Sequence, residues 1–160
     1  AAAIHAIGDF ASSCPLEFEP YYLKTISMLE EFYQHFYENI RIQTIVTYQK
    51  ITEAICKKSN GGVFPEFKRG MPVQKRLDPQ LEEFINTDLI TRYFYIIEND
   101  DSNEAVASAI ECLIDLINSI GPAFIDQNIQ QVVKLIELML KCETNCQKYK
   151  NDVNTIFNLG

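Results

Sequence analysis

Residues 122–141 read PAFIDQNIQQVVKLIELMLK, and apolar side chains recur at helical spacing along this stretch. Gly121 and Pro122 stand at its start, since glycine suits the end of one helix and proline the first turn of the next. The apolar positions cover more than one narrow stripe: Ile125, Ile129, Val132, Val133, Ile136, Met139 and Leu140. A helix that is apolar on two sides needs two neighbours, which is typical of stacked helical hairpins.

The same helical pattern covers most of the chain, and no strand-type alternation is sustained, so we expect an all-α fold. The predicted helices cover about 1–14, 19–36, 40–58, 79–99, 102–120, 122–141 and 144–158. Asn39 is the expected N-cap of the third helix. Asp101, with Glu104 three residues later, fits a capping box for the fifth helix. Five glycines and prolines within 59–77 predict a long connection there.

Helix starts near 19, 78 and 122 each open a pair of helices, and the last two starts are 44 residues apart. HEAT-type helical hairpins recur every 40–47 residues or so. A constant offset of 106 relates four positions in each of two regions: Asp9, Phe18, Ile26 and Leu29 align with Asp115, Phe124, Val132 and Leu135. These observations favour an α-α superhelix, a HEAT-repeat solenoid of about three and a half hairpins.

In this interpretation residues 1–160 form a single array. Residues 1–14 are the second helix of a preceding repeat, the hairpins cover 19–58, 78–120 and 122–159, and 59–77 is an inserted loop. A closed helical bundle is the alternative architecture, because short loops allow it as well.

The chain carries 14 Lys and Arg against 22 Asp and Glu, for a formal net charge of −8. This acidity disfavours direct binding to nucleic acid or to an anionic membrane surface, and it permits a basic protein partner. No apolar run approaches the roughly 20 residues of a membrane span, and no signal-peptide pattern opens the chain. Because Ala1 leads straight into a helical pattern, we expect a piece of a longer protein.

The basic residues concentrate in the stretch 57–76, at the end of the third predicted helix and in the connection. This stretch contains one carboxylate, Glu66, and six cations: Lys57, Lys58, Lys68, Arg69, Lys75 and Arg76. We expect a surface insertion there, and binding to an acidic partner or to the acidic helices is the alternative.

No constellation of residues in the sequence indicates catalysis. The five cysteines are irregularly spaced and predict free thiols of the cytosol or nucleus. The two histidines, His5 and His35, lie among apolar or aromatic neighbours and are expected to be structural. Phosphate-binding loops and metal-ligand spacings are missing as well. We therefore expect a protein that is not an enzyme and that has no catalytic residues, cofactor or metal site.

The fifth predicted helix separates apolar and polar residues most clearly. Its expected core stripe is Val106, Ile110, Leu113, Ile117 and Ile120. The opposite stripe, spaced by four, three, four and three residues, is Glu104, Ser108, Glu111, Asp115 and Asn118. By analogy with solenoid hairpins, this second helix lines the concave side, where its carboxylates would accept hydrogen bonds from basic cargo. An ordinary solvated acidic face is the alternative. The third helix has a mixed outward stripe of Gln43, Thr47, Lys50, Glu53 and Lys57.

Several short segments resemble the karyopherin-β nuclear transport receptors. They are the run from Ala3 to Ala11, the run Phe18-Glu19-Pro20-Tyr21-Tyr22-Leu23, and the pair Ile40-Arg41. Three further segments are similar to the importin-four branch: Gly70-Met71-Pro72, Leu77-Asp78 and Leu140 to Gln147.

The resemblance implies a central fragment of an import receptor that carries histones or ribosomal proteins through the nuclear pore. Such a receptor shuttles between cytoplasm and nucleus, and the full-length protein binds the Ran GTPase and nucleoporin phenylalanine-glycine repeats. Aromatic residues on first helices would floor a pocket for those repeats, but their helical spacing favours the core: Phe32, Tyr33, Phe36, Tyr37, Tyr93, Phe94 and Tyr95. The alternative functions are a HEAT scaffold or adaptor of another complex and a helical hydrolase with a hidden site.

Overall fold

A computed structural model describes residues 1–59, 79–120 and 128–148. Every regular element in these ranges is helical and none is a strand, which confirms the all-α prediction for this part of the chain. Nearly all of the predicted inserted loop and most of the predicted seventh helix lie outside the described residues, as do residues 121–127 of the sixth.

The first helices are more broken than the sequence pattern suggests. Helix α1 spans Ala2–Ser13, and α2 begins at once, at Pro15–Phe18. A 3₁₀ turn at Glu19–Tyr21 leads into α3, Tyr22–Leu29, and a second 3₁₀ turn ends the run at Phe32. The prediction of one regular helix over 19–36 is therefore wrong. Pro20 lies in the first 3₁₀ turn and cannot donate an amide hydrogen bond, which explains the break there.

The longer helices follow the predicted order. Helix α4 spans Glu38–Ser59. Helix α5, Pro79–Phe84, continues through a π-helical turn at Ile85–Leu89 into α6, Ile90–Asn99. Helix α7 spans Asn103–Ile120, and α8 spans Ile129–Leu140. Residues 145–148 are again helical.

Both predicted N-caps are wrong. In α4 the amides of Ile40 and Arg41 donate to the carbonyl of Tyr37, so Asn39 already lies inside the helix. In α7 the amide of Ala105 donates to Ser102 Oγ at 3.1 Å, which makes Ser102 the cap in place of Asp101. Asp100 lies two residues before Ser102, and its Oδ1 accepts the Ser102 amide at 2.8 Å. Serine and aspartate are both good caps, and sequence spacing alone does not choose between neighbouring candidates.

Side chains satisfy the backbone at the π turn. Asn86 Nδ2 donates to the Glu82 carbonyl at 2.9 Å, and Thr87 Oγ1 donates to the Glu83 carbonyl at 2.8 Å. Asn128, just before α8, donates to Asn86 Oδ1 at 3.1 Å. Because π turns leave carbonyls displaced from the regular helical ladder, these bonds stabilise the turn and join it to α8.

The helices form two sides of one core. Helix α4 lies between α1 and α7, which are the other two helices in second position within their predicted hairpins. On the other side, α6 packs on α7, and α8 packs on α6. The fully buried Tyr93 of α6 donates its hydroxyl to the Ile45 carbonyl of α4 at 2.9 Å, and burial raises its pKa. This bond crosses from one side of the core to the other.

The core surface of α7 is shifted from the predicted stripe. Val106 and Leu113 are buried as predicted, but Ile110 and Ile117 are only half-buried. The most deeply buried positions carry mainly small side chains: Ala105, Ala109, Cys112 and Leu116. Small residues allow packed helices to approach closely, and apolar periodicity alone undervalues them. The side chain of Ile120 lies outside the described residues.

An ion pair ties the first two hairpins together at their turns. The Arg41 Nε and Nη2 atoms of α4 contact the two carboxylate oxygens of Asp100, at 2.6 and 2.7 Å. Arg41 Nη1 also donates to the carbonyls of His35 and Phe36, at 2.9 and 3.0 Å. The pair is largely buried, with side-chain exposures of 11% for Arg41 and 5% for Asp100. The hydrogen bonds that Arg41 donates to Asp100 raise the pKa of Arg41.

Two predictions of burial are wrong in part. Phe36, Tyr37 and Tyr95 are exposed, whereas the other members of the predicted aromatic core are buried or half-buried. Helix α8 buries one side: Leu135 is buried and Val132 and Met139 are half-buried. Its other side is exposed at Ile129, Val133, Ile136 and Leu140.

Candidate functional site

The predicted polar stripe lies on one exposed side of α7. Glu104, Glu111, Asp115 and Asn118 are exposed, and Ser108 is half-buried. The steps of three and four residues keep these side chains on one helix face, away from the buried Ala105, Ala109, Cys112 and Leu116. The structure therefore brings all five residues together on one surface.

This surface continues onto α4 through a bridge of hydrogen bonds. Gln49 Nε2 donates to Asp115 Oδ2 at 3.0 Å and to Glu53 Oε1 at 3.1 Å. Ser119 Oγ also donates to Glu53 Oε1, at 3.4 Å. A glutamine and a serine thus hold two carboxylates of different helices side by side. Glu53 belonged to the predicted stripe of the third helix, but nothing in the sequence indicates that it meets Asp115.

At the other edge of α4 the surface reaches α1. Lys50 Nζ contacts Asp9 Oδ1 at 2.6 Å, and His5 Nε2 lies 3.1 Å from Asp9 Oδ2. The hydrogen bond from Lys50 lowers the pKa of Asp9. The predicted stripe of the third helix is wrong at Thr47, which is buried and donates Oγ1 to the Ile4 carbonyl at 3.0 Å. The side chain of Lys57 lies outside the described residues.

We call this surface the carboxylate face of α1, α4 and α7. Its acidic side chains are Asp9, Glu53, Glu104, Glu111 and Asp115, and its permanent cation in the described residues is Lys50. Five negative charges minus one positive charge leave a net charge of −4 on this face. Cys112, beneath it, responds to these charges. Burial is the main cause that raises the pKa of its thiol to about 12, and Asp115, Glu111 and Glu53 raise it further.

The buried thiols predict a labelling pattern. Burial raises the pKa of Cys56 to about 12, as it does for Cys112, so only about 1 in 10⁴ of either thiol is ionised at pH 8. Cys142 is exposed at the end of α8. We expect a disulfide reagent to modify Cys142 rapidly, and Cys56 and Cys112 only on the timescale of unfolding. Peptide mapping of the labelled protein measures the labelling rate of each cysteine. We expect Cys142→Ser to remove the fast phase of labelling. Rapid labelling of Cys56 in the folded chain would contradict the prediction.

The described residues contain no group of three or more His, Cys, Asp or Glu side chains arranged to hold a metal ion. Among the described helices, none is long and apolar enough to cross a bilayer. All five cysteines are free thiols. The carboxylate face presents hydrogen-bond acceptors on three neighbouring helices, α1, α4 and α7.

No protein-family model, no curated protein and no solved structure matches this chain.

Proposed function

We propose that this chain is part of a HEAT-repeat solenoid that binds a basic protein partner on the carboxylate face of α1, α4 and α7. The observation that carries the proposal is the continuity of this face. Asp9, Glu53 and Asp115 come from three successive second-position helices, and Lys50, Gln49 and Ser119 fix their positions. A single acidic helix would offer one row of acceptors, whereas this arrangement offers a surface.

The packing order supports the solenoid. Helices α1, α4 and α7 lie next to one another in chain order, and α6 and α8 are neighbours on the other side of the core. Helical repeats pack in this way because each hairpin buries its apolar face only against its neighbours. The side of α8 left exposed, at Ile129, Val133 and Ile136, suits a further hairpin. In a closed bundle that side would be expected to turn inward.

The biological role in this proposal is nuclear import of basic cargo, such as histones or ribosomal proteins, by a receptor that shuttles between cytoplasm and nucleus. Two features support it: the resemblance of the run around Phe18 to Leu23 to karyopherin-β receptors, and the net charge of the carboxylate face. Ran and the nucleoporin repeats would bind elsewhere on the full-length receptor.

Titration with a labelled histone-tail peptide, at low and at moderate salt, tests the binding step. We expect the triple change Glu104→Gln, Glu111→Gln and Asp115→Asn to weaken binding about five- to a hundredfold at low salt, since each charge contributes a few tenths to 1 kcal/mol. The salt dependence of the affinity should fall as well, because fewer charges are screened.

A matched control removes three exposed carboxylates that lie outside α1, α4 and α7: Glu17→Gln, Glu83→Gln and Glu137→Gln. Both variants raise the net charge by three. Equal loss of affinity in both would show that the peptide senses overall charge rather than the carboxylate face, and unchanged binding in the first would refute the proposal for these residues.

A further inference from the structure

A second surface of the molecule combines exposed aromatic rings with carboxylates. An open groove of about 560 Å³ runs along the hairpin turns at the ends of α4 and α7. Segments 33–41, 95–101 and 145 line it, so three successive hairpins contribute to one groove. The proposed function does not use this surface.

The aromatic residues of the groove are unusually open to solvent. Phe36 is 87% exposed, Tyr37, on the same turn, is 64% exposed, and Tyr95 is 43% exposed. The ring of Phe36 packs only edge-on against Tyr37, at 5.3 Å between centroids, and His35 stacks on Tyr37 at 5.6 Å. Tyr33 and Tyr95 meet at right angles, at 5.9 Å. Adjoining exposed rings of this size are characteristic of surfaces that contact a partner.

The charge of the groove is negative. Among the residues that line the groove, the carboxylates are Glu38, Asp100 and Asp101, and the cation is Arg41. Three minus one leaves a net charge of −2. The helix dipoles of α4 and α7 place a partial charge of roughly +0.5 at each amino-terminal end, which together offset about one unit of this negative charge.

The groove has no guanidinium left to attract an anion. All three nitrogens of Arg41 are engaged, by Asp100 and by the carbonyls of His35 and Phe36. Asp101 has 81% of its side chain exposed and lies 3.5 Å from Arg41 at its nearest approach. The groove therefore presents the exposed carboxylate of Asp101 beside exposed ring faces, which together suit a cation that also has apolar surface.

We propose that this groove, defined by Phe36, Tyr95 and Asp101, binds a short peptide segment in which a Lys or Arg side chain is flanked by apolar residues. The cation contacts Asp101 and an aromatic face, and the apolar neighbours cover Phe36 and Tyr95. Most of the carboxylate face lies away from this groove: Asp115 lies 13 residues beyond Ser102, about 20 Å along α7, whereas Glu104 of that face lies in the first turn of α7.

Fluorescence anisotropy with a dye-labelled GGLRRLGGS peptide tests the proposal, with GGLEELGGS as the acidic counterpart. We expect Phe36→Ala and Asp101→Asn each to weaken binding of the basic peptide about three- to tenfold, and the pair about thirtyfold or more. Both side chains are exposed, so folding should be unaffected. The acidic peptide should bind too weakly to measure.

Two controls separate the groove from other sources of binding. Glu137→Gln removes an exposed carboxylate of α8 outside the groove and should change affinity less than twofold. The pair Glu111→Gln and Asp115→Asn alters the carboxylate face and should leave binding of this peptide within about twofold. Loss of binding in that pair, with no change in Phe36→Ala and Asp101→Asn, would overturn the groove proposal and support the proposed function. Loss only in the groove variants would support the groove whatever the fate of the other proposal.

Discussion

Replacement of Asp100 by Ala is expected to lower the free energy of unfolding by about 3 kcal/mol. Asp100 is 5% exposed and binds two nitrogens of Arg41, while its Oδ1 also accepts the Ser102 amide that opens α7. Removal of one partner from a buried pair leaves the other charge poorly solvated, which typically costs 3–5 kcal/mol or so. The contacts of Arg41 with two carbonyls moderate this cost. Urea denaturation followed by circular dichroism measures it.

The neighbouring aspartate provides the matched control. Asp101 is 81% exposed and lies 3.5 Å from Arg41, so Asp101→Ala should cost less than about 0.5 kcal/mol. Arg41→Met combined with Asp100→Leu should recover part of the loss, since the double change leaves no unpaired charge. Similar effects of Asp100→Ala and Asp101→Ala would show that the pair does not hold the turns together.

The presence of the helices could be predicted from the sequence because it depends on apolar spacing, which is a local property. The run over 103–120 and the run through 90–99 both appear where the pattern placed them. The break between α6 and α7 also lies where the predicted helices 79–99 and 102–120 leave a gap. The N-cap of α7 could not be predicted from the sequence, because Ser102, Asp101 and Asp100 are all acceptable cap residues. Which of them caps the helix depends on the position of Arg41 in another hairpin.

Only part of the carboxylate face could be predicted from the sequence. The stripe of α7 follows from steps of three and four within one helix, so Glu104 to Asn118 could be found from sequence. The bridge from Gln49 to Asp115 joins residues 66 apart, and the contact of Lys50 with Asp9 joins residues 41 apart. Such contacts depend on how neighbouring helices align, which a single sequence does not specify. Thr47 shows the same limit, since its hydroxyl is buried by a bond to α1.

The close approach of α1 and α4 gives the second large effect. Gly8 is buried in α1, and a Cβ atom there would lie 3.1 Å from both Thr47 Oγ1 and Lys50 Cδ, and 3.5 Å from Thr47 Cα. The lysine stem can move aside, but the backbone of Thr47 cannot move without displacing α4. The closeness of α4, rather than an unusual backbone angle, therefore disfavours a side chain larger than alanine at this contact.

We expect Gly8→Leu to lower the free energy of unfolding by about 2–3 kcal/mol, the usual range for a larger side chain forced into a packed contact. This range already includes the higher helix propensity of leucine relative to glycine, which restores up to about 1 kcal/mol of stability. Ala6→Leu, at an exposed position of the same helix, is the control and should change stability by less than about 0.5 kcal/mol. Thermal unfolding of both variants measures the difference.

The same variant also tests how the carboxylate face is built. Displacement of α1 in the variant would separate Asp9 Oδ1 from Lys50 Nζ, which lie 2.6 Å apart in the unmodified protein. The depressed pKa of Asp9 should then rise towards its ordinary value, and carboxylate resonances followed by NMR across pH 2–6 report it. A folded Gly8→Leu protein with an unchanged Asp9 titration and full stability would mean that α1 is not seated on α4. The carboxylate face would then comprise α4 and α7 alone.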